Sequence, residues 1–177
     1  MKPIFLIGFM GTGKSTLGRA LGRALGVDFI DLDSYIERRF HSNIRDIFAR
    51  RGEDGFRDIE RRMLEEVSQF EDVIVACGGG TPCFFNNVAT MNAAGNTVWL
   101  QASHERLLER LKRGRQKRPL IARMTDEELD LYIAEAQRRR EPFYSQANAR
   151  FDSDRLDDAD QIRESVAMFL KTFNLSK

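Results

Sequence analysis

Three observations predict a three-layer α/β fold with a five-stranded parallel sheet. Short apolar runs of strand length alternate with amphipathic stretches of helical spacing along the chain. The runs are apolar at consecutive positions rather than alternate ones, as strands buried on both faces require. The length, 177 residues, matches one domain and is enough to bury a core without disulfide or metal staples.

Residues 4–7 form the first strand and run into a glycine-rich turn. Leu17, Leu21, Ala24 and Leu25 then recur at helical spacing until Gly26 supplies a stop. Residues 29–32 read as the second strand, with Asp31 and Asp33 at its end. Short helices follow over 35–40 and 44–50, then a longer one whose apolar stripe is Phe56, Ile59, Met63, Val67 and Phe70. Residues 73–77 are a third strand, ending in Gly78-Gly79-Gly80, and residues 97–100 a fourth. Ser103 is placed to cap a helix through Leu107, Leu108 and Leu111. Thr125-Asp126-Glu127-Glu128 reads as a capping box opening a long polar helix that runs to Ser145. Residues 150–152 make a short edge strand. The closing helix buries Ile162, Val166, Phe169 and Leu170. Nothing along the chain reads as a repeat, a low-complexity tract or an inter-domain linker.

The charge count excludes several partners. Lys and Arg number 28 against 27 Asp and Glu, a net charge of +1, so no global field draws the chain to nucleic acid or to a membrane surface. Only six of the cations are Lys, so Arg, whose fork suits carboxylates and phosphates, dominates. Most of these Arg residues read as ordinary members of solvated helix faces. The exception is the stretch 110–118, six cations in nine residues, which reads as a mobile segment. No apolar run approaches the ~20 residues of a membrane span, and Met1-Lys2-Pro3 leads directly into a strand, so a cytoplasmic protein is expected. Cys77 and Cys83 do not form a CxxC pair, and with only His41 and His104 beside them they read as packed residues rather than zinc ligands.

Gly8-Phe9-Met10-Gly11-Thr12-Gly13-Lys14-Ser15 fits the P-loop pattern GxxxxGK[ST], set between an apolar strand and an amphipathic helix as that motif requires. Its glycines allow positive φ and close approach to phosphate, and successive N–H groups at the helix start form a concave positive site. Gly11, Thr12, Gly13, Lys14, Ser15 and Thr16 are therefore the nucleotide-binding candidates, with Lys14 spanning the β- and γ-phosphates and Ser15 a ligand for Mg²⁺. A regulatory GTPase would need an Asn-Lys-x-Asp element, and the chain has no Asn-Lys dipeptide. A motor or transporter ATPase would need more length. A small phosphotransferase remains.

The acceptor side is less explicit. If Asp31 and Asp33 close a strand, they share a face about 6.6 Å apart, at ~3.3 Å per residue, in the crevice where open α/β sheets bind ligands. Asp31 would then face the Mg²⁺ shell and Asp33 an attacking hydroxyl; alternatively Asp33 or Ser34 caps the next helix. Gly78, Gly79 and Gly80 expose backbone N–H groups to a small ligand, or form only a flexible turn. Arg57 and Arg140, converging from two helices, would hold an anionic acceptor.

Taken together, the P-loop, Asp31-x-Asp33, Phe56-Arg57-x-x-Glu60, Gly78-Gly79-Gly80, Arg118-Pro119-Leu120 and Arg140-x-Pro142-x-Tyr144 resemble the motifs of shikimate kinases, in order and at similar spacing, over nearly the whole chain. The resemblance implies a nucleoside-monophosphate-kinase-like P-loop fold and ATP-dependent phosphorylation of the shikimate 3-hydroxyl. It implies one kinase domain over 1–177, with a substrate-binding segment at 33–61 and a mobile lid at 112–125. It assigns shikimate to Asp33, Arg57, Gly78, Gly79, Gly80 and Arg140, with Phe48 and Phe56 walling the pocket and Glu60 fixing Arg57. It assigns Mg²⁺ to Ser15 and Asp31, adenine to Arg110 and Arg155, and catalytic roles to Lys14, Asp33 and Arg118, the last closing with the lid. A monomer is the default for this fold.

Two features depart from the family pattern: Ile121 stands where Leu is common, and Asp152-Ser153 and Asp157-Asp158 replace an Asp-Thr followed by Pro near the adenine. Cys77 stands where a Walker-B carboxylate could, which leaves Mg²⁺ to Asp31, consistent with the family. Two other readings compete: a kinase of the same fold acting on another polyol such as gluconate, and a nucleotide-dependent regulator without turnover.

Overall fold

The computed structural model describes residues 1–175. Its five strands are β1 (Ile4–Ile7), β2 (Asp28–Asp31), β3 (Val73–Ala76), β4 (Asn96–Gln101) and β5 (Ala149–Asp152), in the spatial order β2-β3-β1-β4-β5. All neighbours are parallel, with Ile4 of β1 in register with Ile74 on one side and Asn96 on the other.

The central strand shows why its sequence has no polar position. Phe5 and Ile7 face one core, and Ile4 and Leu6 the other. On the first face lie α2 (Leu32–Phe40), α3 (Ile44–Val67), α4 (Asn87–Ala94), α5 (His104–Arg113) and α6 (Asp126–Tyr144). On the second lie α1 (Lys14–Leu25) and α7 (Ala159–Thr172), which pack Leu17, Leu21 and Phe169 against the sheet. The strand order brings the loop after β1 beside the loop after β3, and these two loops carry the P-loop motif and the three glycines.

Most boundaries follow local chemistry. Gly26 ends α1 at φ 70°, donating its N–H to Gly22. Ser103 caps α5 by accepting from the Arg106 N–H, and the Thr125–Glu128 capping box opens α6 with both reciprocal bonds present. Cys77 and Cys83 are free thiols, and the buried Cys77 Sγ lies 3.6 Å from Met91 Sδ.

Several expectations are corrected. The second strand stops at Asp31, so Asp33 belongs to the first turn of α2, and the helix is capped by Asp31 rather than by Asp33 or Ser34. The two helices expected over 44–50 and beyond are both present, joined within α3 across a kink at Gly52, whose φ of 67° only glycine adopts freely. Phe70 lies past the end of that helix and is exposed. The helix α4 was not foreseen, because Asn-Val-Ala-Thr-Met-Asn-Ala-Ala has no apolar stripe to announce it. The first residues of the basic stretch complete α5, Asp126 accepts from Lys112 at 2.9 Å and also pairs with Arg115, and Ile121 beyond it is fully buried. Among the described residues no helix is long and apolar enough to cross a membrane.

The second core is anchored by an aromatic cluster. Phe169 is fully buried, edge-on to Phe151 at 5.0 Å and beside Phe173 at 4.4 Å. Phe169→Ala should therefore cost about 3–5 kcal/mol, read as a lower urea midpoint at unchanged slope. A loss below about 1 kcal/mol would show that this face does not hold α7.

Candidate active site

The turn between β1 and α1 is built by backbone geometry. Gly8, Gly11 and Gly13 all have positive φ, at 141°, 86° and 86°. Thr12 braces the loop from below, its buried hydroxyl donating to the Phe9 carbonyl at 2.8 Å, so any contact it makes above the loop is through its main chain. Lys14 Nζ donates to the carbonyls of Gly8 (2.8 Å) and Phe9 (2.9 Å). Burial lowers its pKa to about 8, against the raising effects of Asp33, Cys77 and Asp31.

Gly11, Gly13, Lys14, Ser15, Thr16, Arg110, Arg118, Leu156 and Asp157 line a cavity of about 340 Å³. Arg110 is fixed there by three residues: Asp157, through Oδ1 at 2.9 Å and Oδ2 at 3.3 Å, the Asp154 carbonyl at 2.8 Å and the Gly11 carbonyl at 3.2 Å. Its guanidinium thus joins the P-loop to the turn after β5. Arg118 lines the same cavity and donates to the Gly114 carbonyl at 3.0 Å. Arg155 is not brought to this cavity. Its mostly exposed side chain pairs with Glu164 at 2.5 Å, while the next residue, Leu156, turns inward against Gly13. Leu156, which the sequence did not single out, and Asp157 occupy the wall assigned to Arg155.

Ser15 Oγ donates to Asp31 Oδ2 at 2.8 Å, while Asp31 Oδ1 accepts from the Ser34 N–H at 3.2 Å. One carboxylate therefore serves both as helix cap and as neighbour of the P-loop hydroxyl. This pair of hard oxygen donors suits Mg²⁺, which binds few protein ligands and keeps waters and phosphate oxygens around it. The hydrogen bond between the two donors shows they share one small volume.

The acceptor side rests on the three glycines after β3. A Cβ on Gly78 would stand 3.2 Å from Asp33 Oδ1, one on Gly79 3.1 Å from Arg140 Nη1, and one on Gly80 2.7 Å from Arg57 Nη2. Each glycine thus makes room for one of the three charged side chains. Asp33 reaches this place from the first turn of α2, so the sharp strand-to-helix junction, not an extended strand, brings it close to Asp31. Burial pushes the Asp33 pKa up to about 6, with Asp31 and Glu60 adding to the rise and Lys14 opposing it.

Arg57 is the most constrained of the three. Its guanidinium carbon lies 4.0 Å from the Phe84 ring centre and 5.2 Å from that of Phe56, which stacks on Phe48 at 4.3 Å. Its Nη1 donates to the buried Glu60 carboxylate at 2.8 Å, and its buried Nε has no hydrogen-bond partner. Arg140 lies 5.4 Å from the Phe9 ring centre, and one turn on, the Tyr144 hydroxyl donates to the Gly79 carbonyl at 2.6 Å. Sequence reasoning did not foresee the contacts of Phe84 and Thr81; a Thr and a Phe in a loop carry no signal of their own.

A phosphate cradle and a charged acceptor pocket at the carboxyl ends of adjacent parallel strands define a P-loop phosphotransferase. The comparisons give the family. The family model for shikimate kinase matches residues 10–171. A shikimate kinase of Phocaeicola vulgatus is 52% identical over 98% of this chain and 99% of its own, and one of Bacteroides fragilis 48% identical over 99% and 98%. The crystal structure of a shikimate kinase from Bacteroides thetaiotaomicron superposes with a TM-score of 0.95 at 46% identity, covering 98% of this chain and 99% of that one. One from Acinetobacter baumannii, in complex with shikimate, gives 0.83 at 28% identity, covering 98% and 94%. The chain belongs to the shikimate kinase family.

The raised pKa of Asp33 carries a sign that can be checked. A carboxyl whose folded pKa lies above its unfolded value costs stability that appears as pH rises through this interval and persists above it. Asp33→Asn should therefore stabilise the fold by about 1–2 kcal/mol at pH 8, with most of that gain gone by pH 4, while turnover falls about 100-fold or more. An equal gain in urea stability at both pH values would show that the Asp33 carboxylate is not strained by its burial.

Proposed function

We propose that the chain transfers the γ-phosphoryl group of ATP to the 3-hydroxyl of shikimate, yielding shikimate 3-phosphate and ADP. The observation that carries this reading is the convergence of Asp33, Arg57 and Arg140 on the three glycines, directly beside the P-loop. A nucleotide-dependent regulator has no use for an acceptor pocket of this kind. Two guanidinium groups suit the carboxylate of the acceptor, and Asp33 with the glycine backbone suits its hydroxyls.

In this reading the backbone amides of the P-loop hold the phosphates, and Lys14 neutralises charge developing on them. Asp33 orients the attacking hydroxyl and accepts its proton, a task suited to a carboxylate with a pKa of about 6 at neutral pH. Ser15 and Asp31 would hold Mg²⁺, which supplies charge neutralisation at the phosphate oxygens. Arg110 and Leu156, which line the cavity beside the P-loop, would take the nucleotide base, and Arg118 in the same lining would take the phosphates. Residues 33–61 act as the acceptor-binding segment and 112–125 as a lid that excludes water, within one kinase domain working as a cytoplasmic monomer.

The experiment is ADP release from ATP and Mg²⁺ with shikimate, gluconate or a nucleoside monophosphate added in turn. Shikimate alone should raise the rate, by at least 100-fold over ATP alone. Turnover elicited only by gluconate or by the monophosphate would overturn the substrate assignment and leave the fold and the phosphate cradle in place.

A further inference from the structure

The carboxylate that steers Arg57 has itself to be held. Glu60 is 1% exposed in the middle of α3, and only one of its oxygens, Oε2, serves Arg57. The other, Oε1, accepts a hydrogen bond from the Thr81 hydroxyl at 2.6 Å. Thr81 is fully buried, and its own position is set from both sides: its N–H donates to the Gly78 carbonyl at 3.1 Å, and its carbonyl accepts from Asn87 Nδ2 at 2.9 Å. It begins the short turn Thr81–Cys83, the direct continuation of the three glycines, and the next residue, Phe84, lays its ring on Arg57.

These contacts divide the control of Arg57 between two groups. The rings of Phe84 and Phe56 set the position of the guanidinium plane, and Glu60 sets its rotation within that plane. A buried carboxylate with one oxygen lacking a donor has reason to turn or shift, because the missing hydrogen bond is not replaced by water. We propose that Thr81 is a positioning residue for the acceptor: its hydroxyl fixes Glu60, Glu60 orients Arg57, and Arg57 thereby meets the acceptor carboxylate already aligned. This rests on the substrate reading above. The chain of contacts lies wholly on the acceptor side. Neither Thr81 nor Glu60 lines the nucleotide cavity, so the effect is confined to one substrate.

The test is steady-state kinetics on Thr81→Val, which keeps the shape and removes the donor, and on Thr81→Ser, which keeps the donor and removes a methyl. Thr81→Val should raise the KM for shikimate about 10-fold while leaving kcat and the KM for ATP within about twofold. Thr81→Ser should restore the shikimate KM to within about twofold of the original. In a Glu60→Gln background, adding Thr81→Val should change the shikimate KM far less than it does alone, since the two act in series. Thr81→Ala carries the same expectation if the valine variant does not fold. A shikimate KM unchanged in Thr81→Val or Thr81→Ala, a parallel loss for ATP, or full additivity with Glu60→Gln would each overturn the inference. Failure of the unsubstituted protein to turn over shikimate at all would instead defeat the substrate reading, so the two failures are distinct.

Discussion

The close approach of two backbone segments governs the rest of the site. Because β1 and β3 are hydrogen-bonded neighbours, the loops leaving their carboxyl ends emerge side by side. A Cβ on Gly79 would lie 3.6 Å from the Gly8 carbonyl and 3.7 Å from the Met10 nitrogen, so the acceptor loop touches the phosphate loop with no side chain between them. That contact places the acceptor pocket beside the phosphates. Tyr144 holds it from the far side, through the Gly79 carbonyl. The helices α2, α3 and α6 then need only deliver one charged side chain each, Asp33, Arg57 and Arg140, onto the glycine surface.

Charge is balanced locally as well as in total. Lys14, Arg57 and Arg140 stand among Asp31, Asp33 and Glu60, and the +1 net charge of the chain says nothing of this cluster. Burial works against both signs, lowering the Lys14 pKa and raising that of Asp33. Such groups store destabilisation in the folded state, and the apolar contacts of the two cores offset it. The aromatic rings serve the same end differently. Phe48, Phe56 and Phe84 give Arg57 a dry, flat seat, which strengthens its hydrogen bonds and limits its rotations.

Elements fixed by local chemistry were legible in the sequence, and elements fixed by tertiary packing were not. The apolar run of β1, the Gly26 stop, the Ser103 cap and the Thr125 capping box all reflect interactions within a few residues, and each stands where its signal does. The second strand was read one residue too far because Leu32, buried at the start of α2, is as apolar there as it would be in a strand. That error altered the argument for Asp33 and left its place in the site unchanged. Arg155 was misplaced because the inward position in the turn after β5 falls to its apolar neighbour Leu156, and a motif cannot show which of two adjacent side chains turns in. Thr81 and Phe84 were invisible for a further reason. Their roles exist only through Glu60 and Arg57, which lie more than 20 residues earlier in the chain.

The claim that the glycine surface exists to seat charged side chains is tested most directly at Gly80. Its backbone, at φ −92° and ψ −20°, is open to any residue, so only the 2.7 Å approach of Arg57 Nη2 explains the glycine. Calorimetric titration of Gly80→Ala should show an intact fold, nucleotide affinity within about twofold of the original, and shikimate affinity lower by at least about 10-fold. Unaltered shikimate affinity in a folded Gly80→Ala protein would contradict the account.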